Sequence, residues 1–365
     1  GEPAFADKYA RADMAILNGA DMVLEYPSLF CCSSAETYAD NAVYILNKIG
    51  IINYICYGSK SFDNDNVKRL SSFLADESID YKKILKTELS KGVSYAKARE
   101  NALVSFFNSS ETDIKNLTET LKSSNDILAI EYEKALLRQK SDLSTIPIER
   151  IGCDYNDPDL KEAFSSATAI RKSLLTYPKI FKSIEKNIPY STKNILESYS
   201  EIKHFGSIDL FEELIFYSIA SKNTNEIRNF PLVNEGLENL LKKNVFSSGT
   251  INEFIQSSIN KRYPVTRIQR LLIHILLGMD KCICTRFRRP GYIRILACTD
   301  KSLVSLISLK SELPVFTSLK KSYDASDLNL KTLIEFENKA CDIYNMVCLK
   351  NKSDYCSEFS IKPKI

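Results

Sequence analysis

The first sixty residues alternate between helical and strand-like patterns, and this alternation restricts the fold more than any other feature of the chain. A helical pattern near the chain start, with Asp7 as its N-cap, leads into a compact apolar run at residues 21–26. A second helical pattern covers 33–48, and a second strand-like run covers 53–57 and ends at Gly58. Repeated helix–strand units predict an α/β fold with an open parallel sheet.

The alternation begins with a helix, which is unusual for such a sheet. An open parallel sheet normally begins with a strand whose carboxyl-end loop holds nucleotide phosphates. We therefore expect an unfilled strand position beside the runs at 21–26 and 53–57. We also expect the first strand and its loop to lie upstream of Gly1.

The pattern changes from mixed to mostly helical near residue 200. Earlier patterns predict helices at 66–75, 94–107 and 125–139, a strand at 145–151, a loop at 152–159 and a helix from 165 to 175. Later patterns predict helices at 210–221, 234–243, 251–261, 265–279 and 332–344, with short strands at 292–297 and 314–317. Weak periodicity at 186–207 predicts a boundary between an α/β domain, 1–190, and a mostly helical domain, 200–365.

Composition indicates a globular protein in a reducing compartment, which we take to be the cytoplasm. Hydrophobic residues make up 44% of the chain, and the apolar run at 271–279 is too short to span a bilayer. Ten cysteines form no C-x-x-C pair, and Cys56 and Cys298 lie within apolar runs, which predicts buried free thiols. The two histidines, His204 and His274, are not spaced as zinc ligands with cysteines, so we expect no zinc site.

Positive charge is concentrated between residues 261 and 294. This stretch holds nine basic residues and one acid, a net charge of +8, whereas the rest of the chain carries −5. Clustered arginines suit RNA phosphates, although a solvated helix face with ordinary surface pairs is an equally good interpretation. The candidates for phosphate contacts are Lys261, Arg262, Arg267, Arg270, Arg288 and Arg289.

Small hydroxyl residues open the predicted helix near residue 165. The segment 165–171 reads Ser-Ser-Ala-Thr-Ala-Ile-Arg. Hydroxyls and free amides at a helix start suit an anion, and Arg171 can reach the same phosphate. Taken alone, such a segment is more often an ordinary helix cap beside an exposed arginine.

This segment resembles the I-S-S-T-x-I-R motif of the HIGH-type nucleotidyltransferase superfamily. Four other segments narrow the resemblance: Gly-Glu-Pro-Ala-Phe-Ala-Asp-Lys-Tyr-Ala-Arg at 1–11, Tyr-Gly-Ser at 57–59, Ser-Asn-Asp-Ile-Leu-Ala-Ile-Glu-Tyr at 124–132 and Arg-Tyr-Pro-Val-Thr-Arg-Ile-Gln-Arg at 262–270. Together and in this order, the segments resemble the tRNA(Met) cytidine acetate ligase family.

The resemblance implies an ATP-dependent enzyme with a Rossmann-like nucleotidyltransferase domain and a helical tRNA-binding domain. Its members activate acetate as acetyl-adenylate and transfer the acetyl group to N4 of the wobble cytidine in elongator tRNA(Met). Activation is needed because a carboxylate is a poor electrophile and the cytosine amine is a weak nucleophile. Magnesium is expected to accompany ATP, on general grounds.

The resemblance also suggests which residues contact ATP. Gly58 would let the nucleotide approach the backbone, although a turn glycine is equally ordinary, and Asn125 would contact adenine or ribose unless it only begins a helix. A strand-end position suits Arg150 for the same site. The full set of ATP candidates is Gly58, Asn125, Arg150, Ser166, Thr168, Arg171, Lys8 and Arg11.

One departure from the superfamily is clear, because its H-x-G-H signature is absent from these 365 residues. We expect His204 and His274 to be structural, and we expect the catalytic histidines upstream of Gly1. Two other functions remain open. One is a small-molecule nucleotidyltransferase of the same superfamily, and the other is a catalytically inactive tRNA-binding paralogue.

Overall fold

A computed structural model describes residues 1–60, 65–107, 117–151, 160, 165–177, 181–234 and 236–364. Within these residues the fold is a mixture of helices with two small sheets, which confirms the predicted α/β class. No helix in the described residues is long and apolar enough to cross a membrane. The predicted loop at 152–159 lies outside the described residues.

Five strands form the two sheets of the described residues. They are β1, Met22–Leu24; β2, Tyr54–Ser59; β3, Ser144–Glu149; β4, Ile293–Cys298; and β5, Val315–Phe316. One sheet has the order β1–β4–β5, with β1 antiparallel to β4 and β4 parallel to β5. The other is a parallel pair of β2 and β3.

Helices before residue 210 surround β2 and β3 and the first strand. Side-chain caps begin several of them, and Asp7 accepts hydrogen bonds from the amides of Tyr9 and Ala10, as predicted. Their bounds are Lys8–Leu17, Ser28–Cys31, Ala35–Ile49, Asp65–Ala75, Ile79–Ser90, Tyr95–Phe107, Ser124–Gln139, Ala167–Thr176 and Tyr190–Ile202.

The second half is mostly helical, as its periodicity predicts. Helix Val265–Leu277 buries Ile268, Leu271, Leu272 and Ile275 in the largest hydrophobic cluster. The helices are Glu212–Ala220, Thr224–Arg228, Leu237–Asn244, Ile251–Ser258, Val265–Leu277, Lys281–Arg286, Lys301–Lys310, Leu319–Ala325 and Leu328–Cys348.

An unfilled strand position beside the first two strands stays a prediction, and the structure leaves one edge of each strand open among the described residues. Among the described residues, β1 pairs only with β4 and β2 pairs only with β3, so each has a strand neighbour on one side. The two strands belong to different sheets, and β1 runs antiparallel to its neighbour. The expectation of one parallel sheet containing both strands is therefore wrong for the described residues.

The predicted boundary region is not a linker. Helix Tyr190–Ile202 occupies most of residues 186–207 and packs Leu196 and Tyr199 against the helix Lys8–Leu17. The sequence pattern does not predict this helix, because one leucine and one tyrosine supply most of its buried face. The division into domains 1–190 and 200–365 stays a prediction, and pairing of β1 with β4 means that residues from both ranges share one sheet.

The described cysteines are free thiols. In the two strand cysteines, Cys56 and Cys298, burial depends on which face of the sheet the side chain occupies and not on how apolar the neighbouring residues are. Cys298 is buried in β4, all of whose residues are buried. Cys56 is exposed, so its predicted burial is wrong. Exposed and buried residues alternate along β2, and Cys56 points to the same exposed face as Tyr54 and Gly58.

Candidate functional site

The carboxyl ends of β2 and β3 meet the beginning of helix Ser124–Gln139. The hydroxyl of Ser59 donates to Oδ1 of Asp126 over 2.7 Å, and the amide of Lys60 donates to the same oxygen over 2.8 Å. Ser123 caps the helix by accepting from the amide of Asp126. These bonds fix the helix start against the strand end, which is where ligands bind in open α/β sheets.

Gly58 and Arg150 lie side by side at this strand end. Gly58 pairs with Ile148, and the amide of Arg150 donates to the carbonyl oxygen of Ser59 over 3.0 Å. A Cβ atom on Gly58 would lie 3.2 Å from Cγ of Arg150, so the missing side chain gives the arginine room to cross the strand. Asn125 is the second residue of the adjoining helix.

The structure thus places Gly58 and Arg150 side by side at this strand end and Asn125 at the start of the helix that meets it, and a shared cleft stays a prediction. A guanidinium, exposed glycine backbone and a helix amino terminus all favour a phosphorylated ligand. The carboxylate of Asp126 is turned to Ser59 and Lys60, from which it accepts two hydrogen bonds. The arrangement fits ATP, and the roles of the three residues stay a prediction.

Helix Ala167–Thr176 carries the second group of predicted phosphate contacts. Ser166 caps it, accepting from the amide of Ala169 over 2.9 Å, and is buried. Nη2 of Arg171 donates to the hydroxyl of Thr168 over 3.3 Å. Convergence of this helix with Arg150 on one ATP molecule stays a prediction.

Lys8, another ATP candidate, is held by carboxylates. Its Nζ lies 2.5 Å from Oε1 of Glu25 and 2.7 Å from Oε2 of Glu358. Burial lowers the pKa of Lys8, but the negative charges around it, that of Glu25 first and then those of Cys341 and Glu358, together raise the pKa well above its usual value. Lys8 is therefore a largely buried cation paired with carboxylates, and its assignment to ATP stays a prediction.

Arg294 completes this cluster. Its Nη1 lies 2.9 Å from Oε2 of Glu358, and its Nη2 donates to the hydroxyl of Tyr9 over 2.8 Å. Burial would raise the pKa of Glu358, but the charges of Lys8 and Arg294 lower it. Because Arg294 is buried, counting it among the surface charges of the basic stretch is wrong.

A cavity of about 600 Å³ lies beside the cluster. Lys8 and Glu25 line it, together with Glu337 and Cys341 of the last long helix, and the ATP candidate Arg11 lies at its rim. The amide and hydroxyl of Ser28 donate to the Glu337 carboxylate over 2.6 and 2.9 Å. Burial, followed by the charge of Glu25, raises the pKa of Glu337 to about 7.

The residues predicted to contact RNA differ in how exposed their side chains are. Lys261 and Arg288 are exposed, whereas Arg262, Arg267, Arg270 and Arg289 are partly buried. Nη2 of Arg267 donates to the carbonyl of Leu232 over 3.1 Å and its guanidinium lies 4.7 Å from the Tyr263 ring centroid. Arg289 forms an ion pair with Asp40 at 2.8 Å.

The two histidines have no place in this site. Nε2 of His274 is 2.7 Å from the carbonyl oxygen of Cys32, and burial lowers the His274 pKa to about 4. The structural role predicted for His274 is confirmed. His204 directly follows the helix Tyr190–Ile202 and Lys203, and its backbone amide donates to the carbonyl of Cys348.

Several charged residues of the site are not among those that the sequence predicts. Asp126 stands at a predicted helix start and Glu25 at a predicted strand end, and both positions could have suggested them. Glu337 and Glu358 carry no comparable signal, because their partners Ser28, Lys8 and Arg294 are more than sixty positions away.

The fold agrees with comparisons to known proteins. The family model described as HIGH Nucleotidyl Transferase matches residues 1–358. Among solved structures, apo TmcAL from Thermotoga maritima has a TM-score of 0.91 at 29% identity, covering 100% of this chain and 88% of that chain. A second TmcAL structure, bound with alpha-thio ATP, has a TM-score of 0.87 at 29% identity, with coverage of 99% and 88%.

Curated relatives identify one family within the class of HIGH nucleotidyl transferases. The tRNA(Met) cytidine acetate ligase of Clostridium perfringens strain SM101 is 37% identical over 366 residues, 97% of this chain and 87% of the relative. That of Acetivibrio thermocellus is 38% identical over 359 residues, 96% of this chain and 85% of the relative. The chain therefore belongs to the tRNA(Met) cytidine acetate ligase family of HIGH nucleotidyl transferases.

Proposed function

We propose that this protein acetylates N4 of the wobble cytidine in elongator tRNA(Met), using ATP to activate acetate as acetyl-adenylate. The observation that carries the proposal is the meeting of Gly58, Arg150 and the helix start at Asn125 on the carboxyl ends of β2 and β3. Family membership supplies the reaction, and the relatives are named for this substrate and this bond.

ATP supplies the adenylyl group that turns acetate into a mixed anhydride with a good leaving group. The guanidinium of Arg150 would hold a phosphate, and the exposed backbone at Gly58 would let the nucleotide lie close to the strand. In this proposal Ser166, Thr168 and Arg171 bind the remaining phosphates from their helix start. Lys8 and Arg11 line the cavity, and their assignment to ATP stays a prediction.

Magnesium would enter the site bound to the triphosphate of ATP. A magnesium ion held in this way usually has few ligands from the protein. Among the described residues, no three histidine, cysteine, aspartate or glutamate side chains form a cluster that could hold a metal ion. The proposal therefore assigns no protein ligand to magnesium.

The basic residues of 261–289 would bind the tRNA backbone. Lys261 and Arg288 offer exposed charge, while Arg262, Arg267, Arg270 and Arg289 border them as partly buried cations. Phosphate contacts of this kind position an RNA without reading its sequence. Cytoplasmic location and acetate as the acyl donor belong to the same proposal.

The test is to incubate the full-length protein, including any segment that its gene encodes upstream of Gly1, with ATP, acetate and a tRNA(Met) transcript, and to search the digested RNA for N4-acetylcytidine by mass spectrometry. The modified nucleoside should appear with ATP and acetate together, and should be absent with either alone. RNA binding without acetylation would favour the inactive tRNA-binding protein. Acetate-dependent pyrophosphate exchange without RNA acetylation would favour a small-molecule nucleotidyltransferase.

A further inference from the structure

Phe246 is the one exposed phenylalanine in the described part of the chain. It is 75% exposed, whereas the other described phenylalanines are buried or partly buried. It comes two residues after helix Leu237–Asn244, and its backbone amide donates to the carbonyl of Lys243. The end of this helix therefore presents a flat aromatic ring to solvent.

A lysine side chain lies between this ring and the neighbouring helix. Nζ of Lys242 donates to the carbonyl oxygens of Ala220 and Lys222 over 2.9 and 2.8 Å, where helix Glu212–Ala220 ends. The same Nζ is 5.7 Å from the centroid of the Phe246 ring, which is within the range of a cation–π contact. Because the ammonium group covers one face and most of the residue is exposed, the other face of the ring is open to a ligand.

The surroundings of the ring are positively charged. Lys243 is exposed beside it, and Lys222 adjoins it through the hydrogen bond from Lys242. The one acid of helix Leu237–Asn244, Glu238, is buried and pairs with Arg228 at 2.6 Å. A flat aromatic ring among cations suits a polyanion that carries flat rings of its own, and RNA is such a polyanion.

The ring lies in the same part of the molecule as the residues proposed to contact tRNA. Nδ2 of Asn244 donates to Oγ of Ser258 over 2.9 Å, and both residues are buried. The hydroxyl of Tyr263 donates to the carbonyl of Asn234, just before the same helix. Lys261 lies between Ser258 and Tyr263, so these two bonds hold the segment that carries Lys261 against the helix that ends beside Phe246.

We propose that the open face of Phe246 stacks on an unpaired base of the tRNA, while Lys243 and Lys261 hold neighbouring phosphates. This inference rests on the proposed function and adds to it a contact that recognises unpaired nucleotides. Every base has a π face, so stacking on an aromatic ring favours single-stranded RNA without reading its sequence. Bases within a duplex are already stacked on both faces and gain little from the ring.

The experiment measures the Kd of a tRNA(Met) transcript for the full-length protein by fluorescence anisotropy, over a series of salt concentrations. Phe246→Ala should weaken binding by about tenfold or more. It should leave the slope of log K against log salt unchanged, because phenylalanine carries no charge. Lys243→Ala should instead lower that slope by about 0.7–0.9. Phe246→Tyr keeps the ring and should bind like the wild type.

A tryptophan at the same position reports stacking directly. The 365 residues contain no tryptophan, so Phe246→Trp adds indole emission that is measured as the difference from the wild-type protein. Binding of tRNA should quench this added emission, because a stacked base quenches indole fluorescence. Tyr190→Trp is the control, since Tyr190 is 73% exposed and begins helix Tyr190–Ile202, away from the basic stretch in sequence. Its emission should stay unchanged.

A second RNA separates stacking from general attraction to phosphates. A blunt RNA duplex with the same number of phosphates as the transcript should bind the wild type and Phe246→Ala equally well. Because Phe246 is exposed, its replacement should not unfold the protein, and thermal melting should confirm that each variant is folded.

The outcomes separate the inference from the proposed function. If the wild type does not bind tRNA, the proposed function is wrong and the inference fails with it. If the wild type and Phe246→Ala bind tRNA equally and Phe246→Trp is not quenched, the inference alone is wrong. If Phe246→Ala changes the oligomeric state in sedimentation velocity but not the tRNA affinity, the ring contacts another copy of the protein and the inference is again wrong. Weaker binding at an unchanged salt slope, together with quenching of Phe246→Trp, supports the inference.

Discussion

Arg294 and Glu358 form an ion pair with 2.9 Å between Nη1 and Oε2, and their side chains are 6% and 2% exposed. The pair joins β4 to the C-terminal segment, and Lys8 reaches the same carboxylate from the first helix. Removing one partner of a buried pair leaves uncompensated charge, which is far costlier than losing a surface pair.

Glu358→Gln should therefore lower the free energy of unfolding by about 3 kcal/mol or more, because Lys8 and Arg294 would share only Glu25. Urea unfolding at neutral pH measures the loss. Glu312→Gln is the matched control, since Glu312 pairs with Lys48 at the surface and is 66% exposed. That change should cost less than about 1 kcal/mol. Equal losses would mean that the buried cluster contributes no more than a surface pair.

Gly58→Val should weaken ATP binding by about tenfold or more, because the new side chain displaces Arg150, and one charge-assisted hydrogen bond is worth roughly 1.5–3 kcal/mol. Isothermal titration of the full chain with ATP gives the affinity. Cys56→Val is the control, since it adds the same side chain to the same exposed strand face. An unchanged affinity for Gly58→Val would exclude this strand end as the nucleotide site.

Lys261→Ala with Arg288→Ala should reduce the salt dependence of tRNA binding. If each side chain neutralises one phosphate, the slope of log K against log salt should fall by about 1.5. Lys82→Ala with Lys86→Ala removes two exposed lysines from helix Ile79–Ser90 and should leave the slope unchanged. If both double variants showed the same slope, the prediction that Lys261 and Arg288 contact tRNA phosphates would be wrong.

His274→Gln should change how the free energy of unfolding depends on pH, because His274 and Glu337 affect it in opposite directions. The pKa of His274 is about 4 in the folded protein and about 6.5 in the unfolded chain, so between these pH values His274 binds a proton only when the chain is unfolded. The contribution of His274 to stability is therefore full above about pH 6.5 and declines as the pH falls. Glu337, with its pKa raised to about 7, contributes stability at low pH that is lost as pH rises.

The two contributions nearly cancel in the wild type between about pH 4.5 and 7, whereas His274→Gln retains only that of Glu337. The variant should therefore lose stability as pH rises through this range, by an amount on the order of 3 kcal/mol. Urea unfolding at several pH values tests this, and identical pH profiles for variant and wild type would contradict it. Glutamine can still donate to the carbonyl of Cys32, so the hydrogen bond is kept.

Local patterns predicted most of the elements, because a helix cap such as Asp7 or an apolar face such as that of residues 265–277 acts within a few turns. They also predicted that Gly58, Asn125 and Arg150 share one strand end. Pairing of β1 with β4 was not predictable, since nothing near residue 22 specifies a partner near residue 298. The cluster of Lys8, Glu25, Arg294 and Glu358 was missed for the same reason.

The pairing of Met22 with Cys298 also sets an order of events during synthesis. β2 and β3 can pair once residue 149 has left the ribosome, but β1 must wait for residues 293–298. At translation rates of about 5–20 residues per second, β1 stays without its partner for tens of seconds. A nascent chain stalled before residue 293 should therefore protect β2 and β3 from protease while the first helix remains open to cleavage.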